Sequence, residues 1–130
     1  MTRTYLLDAS ALLAVIFNEP GAATVGALLD DCQIHAANLA EVARKMVALG
    51  IPPDETIALI DELNLEVLED FGVEQVHEIA KLSPEAKRLG LSLGDSVCLT
   101  VAGHLDMTAV TSDRCWKEIA GLNVKLVLIR

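Results

Sequence analysis

Four acidic side chains stand beside apolar stretches of the chain, where a carboxylate is costly. Asp8 directly follows a short apolar run, and Asp113 follows a β-branched run. Glu41 and Asp95 lie near the starts of two apolar helical patterns. A carboxylate next to an apolar interior is unfavourable unless it is paired or binds a cation. The four positions therefore predict a shared site, provided that the fold brings them together.

The chemistry of such a site follows from charge repulsion. Two like charges about 4 Å apart repel by roughly 4 kcal/mol at an effective dielectric constant of about 20. Four carboxylates therefore need a cation, and hard oxygen ligands favour Mg²⁺ or Mn²⁺ over zinc. Such an ion can deprotonate water and stabilise the departing oxygen of a phosphodiester. The chain has no Ser-His-Asp set, Walker loop or G-x-G-x-x-G motif that competes with this assignment.

Each acid also has a purely structural interpretation. Asp8 or Ser10 can be the N-cap of the helix that follows, and Asp113 can cap the short helix after it. Glu41 can close a capping box with Asn38, three residues earlier. Asp95 can be a favourable charge at a helix N-terminus. Most other acids of the chain fall on polar faces or in loops, which favours a common role for these four.

Hydrophobic periodicity, caps and breakers predict five short strands that alternate with helices. The predicted strands are 5–7, 33–36, 65–68, 108–111 and 125–129. The predicted helices are 11–17, 22–29, 38–49, 54–63, 73–81, a turn or short helix at 83–90, a helix that begins near Asp95, and a short helix near 115–119. The stretch Ser83-Pro84-Glu85 is predicted to open the turn or short helix that runs up to Gly90.

This alternation predicts an α/β fold with a five-stranded, mainly parallel sheet and helices on both faces. The length of 130 residues predicts one domain over 1–130. In such sheets, ligands bind beyond the carboxyl ends of the strands, where the strand order reverses. If the first and fourth strands are central, all four acids can meet at that edge.

Composition narrows the functional classes. The net charge is −9, which argues against non-specific binding along a nucleic-acid backbone, although bound cations would reverse the local sign. No apolar run is long enough to span a membrane, and no signal peptide is evident, so we expect a cytoplasmic protein. The three cysteines form no C-x-x-C pair and are expected as free thiols, and the three scattered histidines are expected at the surface or its boundary.

Four blocks of the sequence resemble, in order, the signature blocks of PIN-domain proteins. They are Tyr5–Ala11, Asn38–Val42, Leu93–Ser96 and Thr111–Trp116. The chain is most similar to the VapC toxins of bacterial toxin–antitoxin pairs. The resemblance spans nearly the whole chain, and its specificity comes from the order and spacing of blocks that are weak individually.

The resemblance implies a magnesium- or manganese-dependent endoribonuclease with RNA as its substrate. It maps the family's acidic quartet onto Asp8, Glu41, Asp95 and Asp113. Ser10 and Thr111 match positions whose hydroxyls often support the site. The family also implies a homodimer and a cognate antitoxin whose tail occupies the active-site groove.

Other residues could assist an RNA substrate. Arg44 and Arg114 could hold phosphates, or they could be solvated charges or helix ion pairs. Trp116 could stack on a base, although packing in the core is the expected role of its ring. A rival interpretation is a non-catalytic α/β interaction module in which the acids cap helices. A receiver-type phosphoryl-transfer domain fits poorly, because it needs adjacent acids after the first strand.

Overall fold

A single five-stranded sheet organises the computed structural model, which describes residues 4–130. The strands are β1 (Tyr5–Leu7), β2 (Cys32–His35), β3 (Glu66–Leu68), β4 (Thr108–Thr111) and β5 (Leu126–Leu128). The helices are α1 (Ala9–Ile16), α2 (Ala22–Leu28), α3 (Ala36–Ala48), α4 (Pro53–Glu62), α5 (Val73–Leu89) and α6 (Leu93–His104). Short 3-10 helices cover Leu29–Asp31 and Arg114–Glu118.

The sheet is parallel throughout and has the order β3-β2-β1-β4-β5. The central strand is β1, and β4 lies beside it on one side while β2 lies on the other. The predicted α/β class and parallel sheet are therefore confirmed. Strand order reverses around β1, so the crevice beyond its carboxyl end is where this class of sheet binds ligands.

Alternation along the buried strands divides the core into two layers. Leu7 and Val110 point to the layer that α1, α2 and α3 cover, together with Met46. Leu6 and Ala109 point to the opposite layer, which is covered chiefly by α6. Helices thus cover both faces, as expected, and the apolar packing of both layers fixes the strand ends from which the acidic residues project.

The region around Pro84 differs from the prediction. The structure has one continuous helix, α5, with Pro84 inside it, instead of two elements. Proline costs a helix the hydrogen bond of its missing N–H and crowds a carbonyl of the preceding turn. The hydroxyl of Ser83 donates to the Ile79 carbonyl at 3.1 Å in that turn. Leu82 and Leu89, on either side of Pro84, both pack against the core, so burial favours the continuous helix.

The cysteines behave as the sequence suggests, because none of them forms a disulfide; Cys32 and Cys98 are buried and Cys115 is partly buried. His35 does not behave as predicted. Its side chain is only 5% exposed, because it serves as a helix cap at the end of β2. Within residues 4–130, none of the helices combines the length and the apolar character that a membrane span needs.

Candidate metal centre

Asp8 is the most enclosed of the four acids, with 2% of its surface exposed. Its Oδ1 accepts hydrogen bonds from the Ala11 backbone N–H at 2.8 Å and from the Ser10 hydroxyl at 2.7 Å. Its Oδ2 accepts the Thr111 hydroxyl at 2.6 Å. Asp8 is therefore the N-cap of α1, and both of its oxygens are fixed by donors from β4 and α1.

The two hydroxyls also tie the ends of β1 and β4 together. The Ser10 hydroxyl accepts the Ser112 backbone N–H at 3.0 Å, and the Thr111 hydroxyl accepts the Asp113 N–H at 3.0 Å. Ser10 and Thr111 thus position Asp8 and the residues that lead into Asp113. Both residues lie where the resemblance places supporting hydroxyls.

Burial raises the pKa of Asp8 from its ordinary value of 3.8 to about 6. The hydrogen bonds from Thr111, Ser10 and Ala11 act in the opposite direction, and the charge of Asp95 adds to the rise. The carboxylate form is stabilised by its donors but loses more by desolvation. A nearby cation would restore the charged form.

Asp95 lies in the first turn of α6 and closes a capping box with Ser92. Its Oδ2 accepts the Ser92 N–H at 2.9 Å, and the Ser92 hydroxyl accepts the Asp95 N–H at 3.1 Å. Burial raises the pKa of Asp95, the bonds from Ser92 oppose the rise, and the charge of Asp113 adds to it. Asp95 is close enough to both Asp8 and Glu41 to raise their pKa values as well.

Glu41 is held differently from the predicted capping box. The cap of α3 is His35, whose Nδ1 accepts the Ala37 N–H at 3.0 Å while its Nε2 donates to the Asp70 carbonyl at 3.0 Å. Asn38 is consequently inside the helix, and its side-chain nitrogen donates to Glu41 Oε1 at 3.0 Å. The predicted Asn38 N-cap is wrong because the helix is capped by His35, three residues earlier in the chain.

Burial is the main cause of the raised pKa of Glu41. The hydrogen bond from Asn38 opposes it, the charge of Asp95 adds to it, and the positive charge of Arg44 lowers it. Glu41 lies against the first turn of α6. A Cβ atom on Gly94 would collide with the Glu41 carboxylate, so a larger residue at position 94 would displace this carboxylate from its place against α6.

Asp113 caps the 3-10 helix Arg114–Glu118, and its Oδ1 accepts the Cys115 N–H at 2.9 Å. It lies just beyond the end of β4, the neighbour of β1, and its charge acts on Asp95. Three of the four acids therefore cap helices and also belong to one electrostatic cluster centred on Asp95. The structural and the functional interpretations of these acids are compatible.

The four acids are neighbours but do not form a ready-made binding group. Among the described residues, no three His, Cys, Asp or Glu side chains converge tightly enough to hold a metal ion. The donors nevertheless fit Mg²⁺ or Mn²⁺, because they are carboxylate oxygens at a buried edge. Burial is the largest cause of the raised pKa values of Asp8, Glu41 and Asp95, and the charge of a neighbouring acid adds to each of them.

The other sequence-predicted residues divide into two groups. Arg44 is exposed and close enough to influence Glu41. Arg114 is also exposed, and its guanidinium donates to the Arg130 carbonyl at 3.1 Å. Trp116 is fully buried in the core layer under α6, so the base-stacking role is excluded and the packing role is confirmed.

Comparison with known proteins decides the family. The PIN domain family model matches residues 5–122. The chain belongs to the PIN domain family. The same region contains all four acids, and the predicted resemblance is confirmed. No curated protein matches this PIN domain in sequence.

Solved structures share the fold of this PIN domain. DNA-bound VapBC from Salmonella typhimurium is 20% identical, covers 100% of each chain and has a TM-score of 0.75. VapBC2 from Rickettsia felis, bound to a promoter DNA fragment, is 21% identical over 95% of this chain and 97% of that one, with a TM-score of 0.73. VapBC-1 from nontypeable Haemophilus influenzae is 17% identical over 96% of this chain and 97% of that one, with a TM-score of 0.73. At these identities the similarity establishes the fold.

Proposed function

We propose that this PIN domain is a metal-dependent endoribonuclease and the toxin of a VapBC-type toxin–antitoxin pair. The observation that carries the proposal is the electrostatic cluster of Asp8, Glu41, Asp95 and Asp113 at the carboxyl end of the central strands. Family membership and the VapBC folds support it. Since the substrate would be cellular RNA, we propose that the protein acts in the cytoplasm.

The proposed ligands of Mg²⁺ or Mn²⁺ are Asp8, Asp95 and Asp113, with Glu41 as a ligand directly or through water. A divalent cation bound there would activate water and neutralise charge that develops on a phosphodiester. Ser10 and Thr111 would keep the Asp8 carboxylate oriented, since their hydroxyls already donate to its two oxygens. Arg44 and Arg114 are proposed to contact RNA phosphates at the rim of the site.

We also propose a cognate antitoxin and a second copy of this chain as protein partners. VapBC structures from several bacteria are toxin–antitoxin complexes with the same fold. Exposed large apolar side chains are available for such contacts; the most exposed are Leu49, Ile57, Val73, Val76 and Leu93. A small gene for a DNA-binding protein immediately upstream would support the pairing, and co-purification of its product with this chain would test it.

RNA cleavage tests the proposed activity. Purified protein should cleave single-stranded RNA when Mn²⁺ is present and should stop when the ion is chelated. Asp95→Asn keeps an oxygen for the Ser92 cap but removes a charge, and it should reduce cleavage by roughly 100-fold or more. Asp61→Asn, at an exposed acid of α4, is the matched control and should retain activity.

Two results would reject the nuclease proposal. One is a wild-type protein that cleaves no RNA with Mn²⁺. The other is equal cleavage by the wild type and Asp95→Asn, which would assign the activity to a contaminant. Either result would favour the non-catalytic interaction module, in which the acids act as helix caps.

A further inference from the structure

Asn38 occupies an unusual place in the acidic cluster. Its side chain is 1% exposed, although amides are usually solvated. Its Nδ2 donates to Glu41 Oε1 at 3.0 Å and also to the backbone carbonyl of Gly94 at 3.0 Å. Gly94 directly precedes Asp95. One amide group thus connects the carboxylate of Glu41 on α3 to the peptide next to Asp95 on α6.

The orientation of the Asn38 amide is set by the two acceptors that it contacts. Glu41 Oε1 and the Gly94 carbonyl are both acceptors, so only the NH₂ end can face them. The opposite end, Oδ1, is buried and accepts no hydrogen bond from the described residues. An unpaired buried acceptor is unfavourable. The protein therefore tolerates a cost at Oδ1 in order to donate two hydrogen bonds toward the acidic cluster.

The hydrogen bonds of Asn38 oppose the repulsion between the carboxylates of Glu41 and Asp95. Asp95 and Glu41 carry like charges, and the charge of Asp95 disfavours the ionised form of Glu41. Glu41 is long and partly exposed, so an unrestrained carboxylate would turn away from Asp95 toward solvent. The bond from Asn38 holds the carboxylate against α6, where the missing side chain of Gly94 leaves room for it.

We propose that Asn38 is a positioning residue that holds Glu41 beside Asp95 and so prepares the site for a divalent cation. This inference rests on the proposed function, because it assigns a task within that metal site. Residues that orient metal ligands by hydrogen bonds typically change metal affinity 10- to 100-fold when they are lost. Asn38 would act only through Glu41 and the first turn of α6, without contacting the ion or RNA.

The test is a double-mutant cycle on Mn²⁺ affinity, measured by calorimetric titration in the absence of RNA. The four proteins are the wild type, Asn38→Ala, Glu41→Ala and the double variant. Asn38→Ala should weaken Mn²⁺ binding by roughly 10-fold. Because its effect is transmitted through Glu41, the double variant should bind Mn²⁺ little more weakly than Glu41→Ala alone.

A control separates positioning from general stability. Thr56 is 1% exposed and its hydroxyl donates to the Ile51 carbonyl at 3.4 Å, outside the acidic cluster. Thr56→Val should change the melting temperature but leave the Mn²⁺ dissociation constant unchanged. If Asn38→Ala does not fold, as judged by the fluorescence of the single, buried Trp116, then Asn38→Leu replaces it, since it fills the space and also lacks the donor.

The outcomes are distinguishable. Wild-type affinity for Mn²⁺ in Asn38→Ala would overturn this inference while leaving the proposed nuclease intact. Fully additive losses in the double variant would also overturn it, because Asn38 would then act independently of Glu41. A wild-type protein that binds no Mn²⁺ would overturn both this inference and the proposed function. A large effect of Asn38→Ala on Mn²⁺ affinity that disappears in the Glu41→Ala background would support the inference.

Discussion

Asp8 combines two demands at a single residue. It must cap α1, which favours a carboxylate with fixed acceptors, and it must remain in a nearly dry environment, which disfavours the charge. The folded protein raises its pKa to about 6, whereas the ordinary value is 3.8. The stabilising contribution of protonated Asp8 is thus fully present below about pH 4 and is lost as the pH rises through about 6.

We therefore predict that Asp8→Asn stabilises the metal-free protein at neutral pH. The pKa difference corresponds to about 3 kcal/mol as an upper limit, because one pH unit is worth 1.36 kcal/mol. Asparagine also caps helices well, so the start of α1 should persist. Thermal unfolding of the wild type and Asp8→Asn in the presence of a chelator, at pH 4.5 and pH 7.5, measures the difference in stability. The stability gain should be larger at pH 7.5, and a gain independent of pH would contradict the assignment.

Single residues also mark the limit of the sequence analysis. The acids were predicted because each stands beside an apolar element, which is visible in the sequence. The Asn-x-x-Glu pattern predicts Asn38 as a cap because it fits a capping box, whereas the cap in the structure is His35. The contact of His35 with the Asp70 carbonyl joins residues 35 positions apart, and no local pattern predicts such a contact.

At the scale of elements, α5 shows how tertiary packing overrides a local signal. Pro84 predicted a break, but the helix continues because its apolar residues on both sides pack on the core. Strands 5–7 and 108–111, in contrast, were predicted with their observed bounds. Buried strands have continuous apolar sequences, which make them easy to predict. Pro84 is itself exposed, and the local sequence does not show that the apolar residues on either side of it pack on the core.

We predict that Pro84→Ala stabilises the protein by about 1–2 kcal/mol. Alanine favours a helix interior by about 3 kcal/mol over proline, and the more flexible unfolded chain offsets up to about 1 kcal/mol of this. Denaturant unfolding measures the change. Lys87→Gly, at an exposed position beyond Pro84, should in contrast cost about 0.5–1 kcal/mol. A clear loss of stability in Pro84→Ala would mean that the helix does not continue there.

For the whole molecule, the net charge of −9 is unfavourable for an approaching RNA. Positively charged groups at the carboxyl edge of the sheet therefore contribute more to RNA binding than they would on a basic protein. Arg44 is exposed within reach of Glu41, which places a positive charge at the rim of the cluster. The parallel topology brings this cation and the four acids to one edge, although they come from distant parts of the sequence.

We predict that Arg44→Ala weakens the binding of a single-stranded RNA dodecamer. The loss of one phosphate contact should reduce the slope of log K against log salt by about 0.7. The measurement is a fluorescence titration in the Asp95→Asn background, which prevents cleavage. Lys125→Ala removes an equal charge before β5, at the opposite edge of the sheet, and should leave the slope unchanged. Equal effects of both variants would assign the change to net charge alone.

The claim that supports the whole account is that carboxylates from four distant segments form one cation site around Asp95. Calorimetric titration of Mn²⁺ into the wild type, Asp95→Asn and the exposed-acid control Asp61→Asn tests it most directly. The account predicts binding by the wild type and Asp61→Asn, with affinity at least about 10-fold weaker in Asp95→Asn. Equal affinities in all three proteins, or no binding by the wild type, would contradict it.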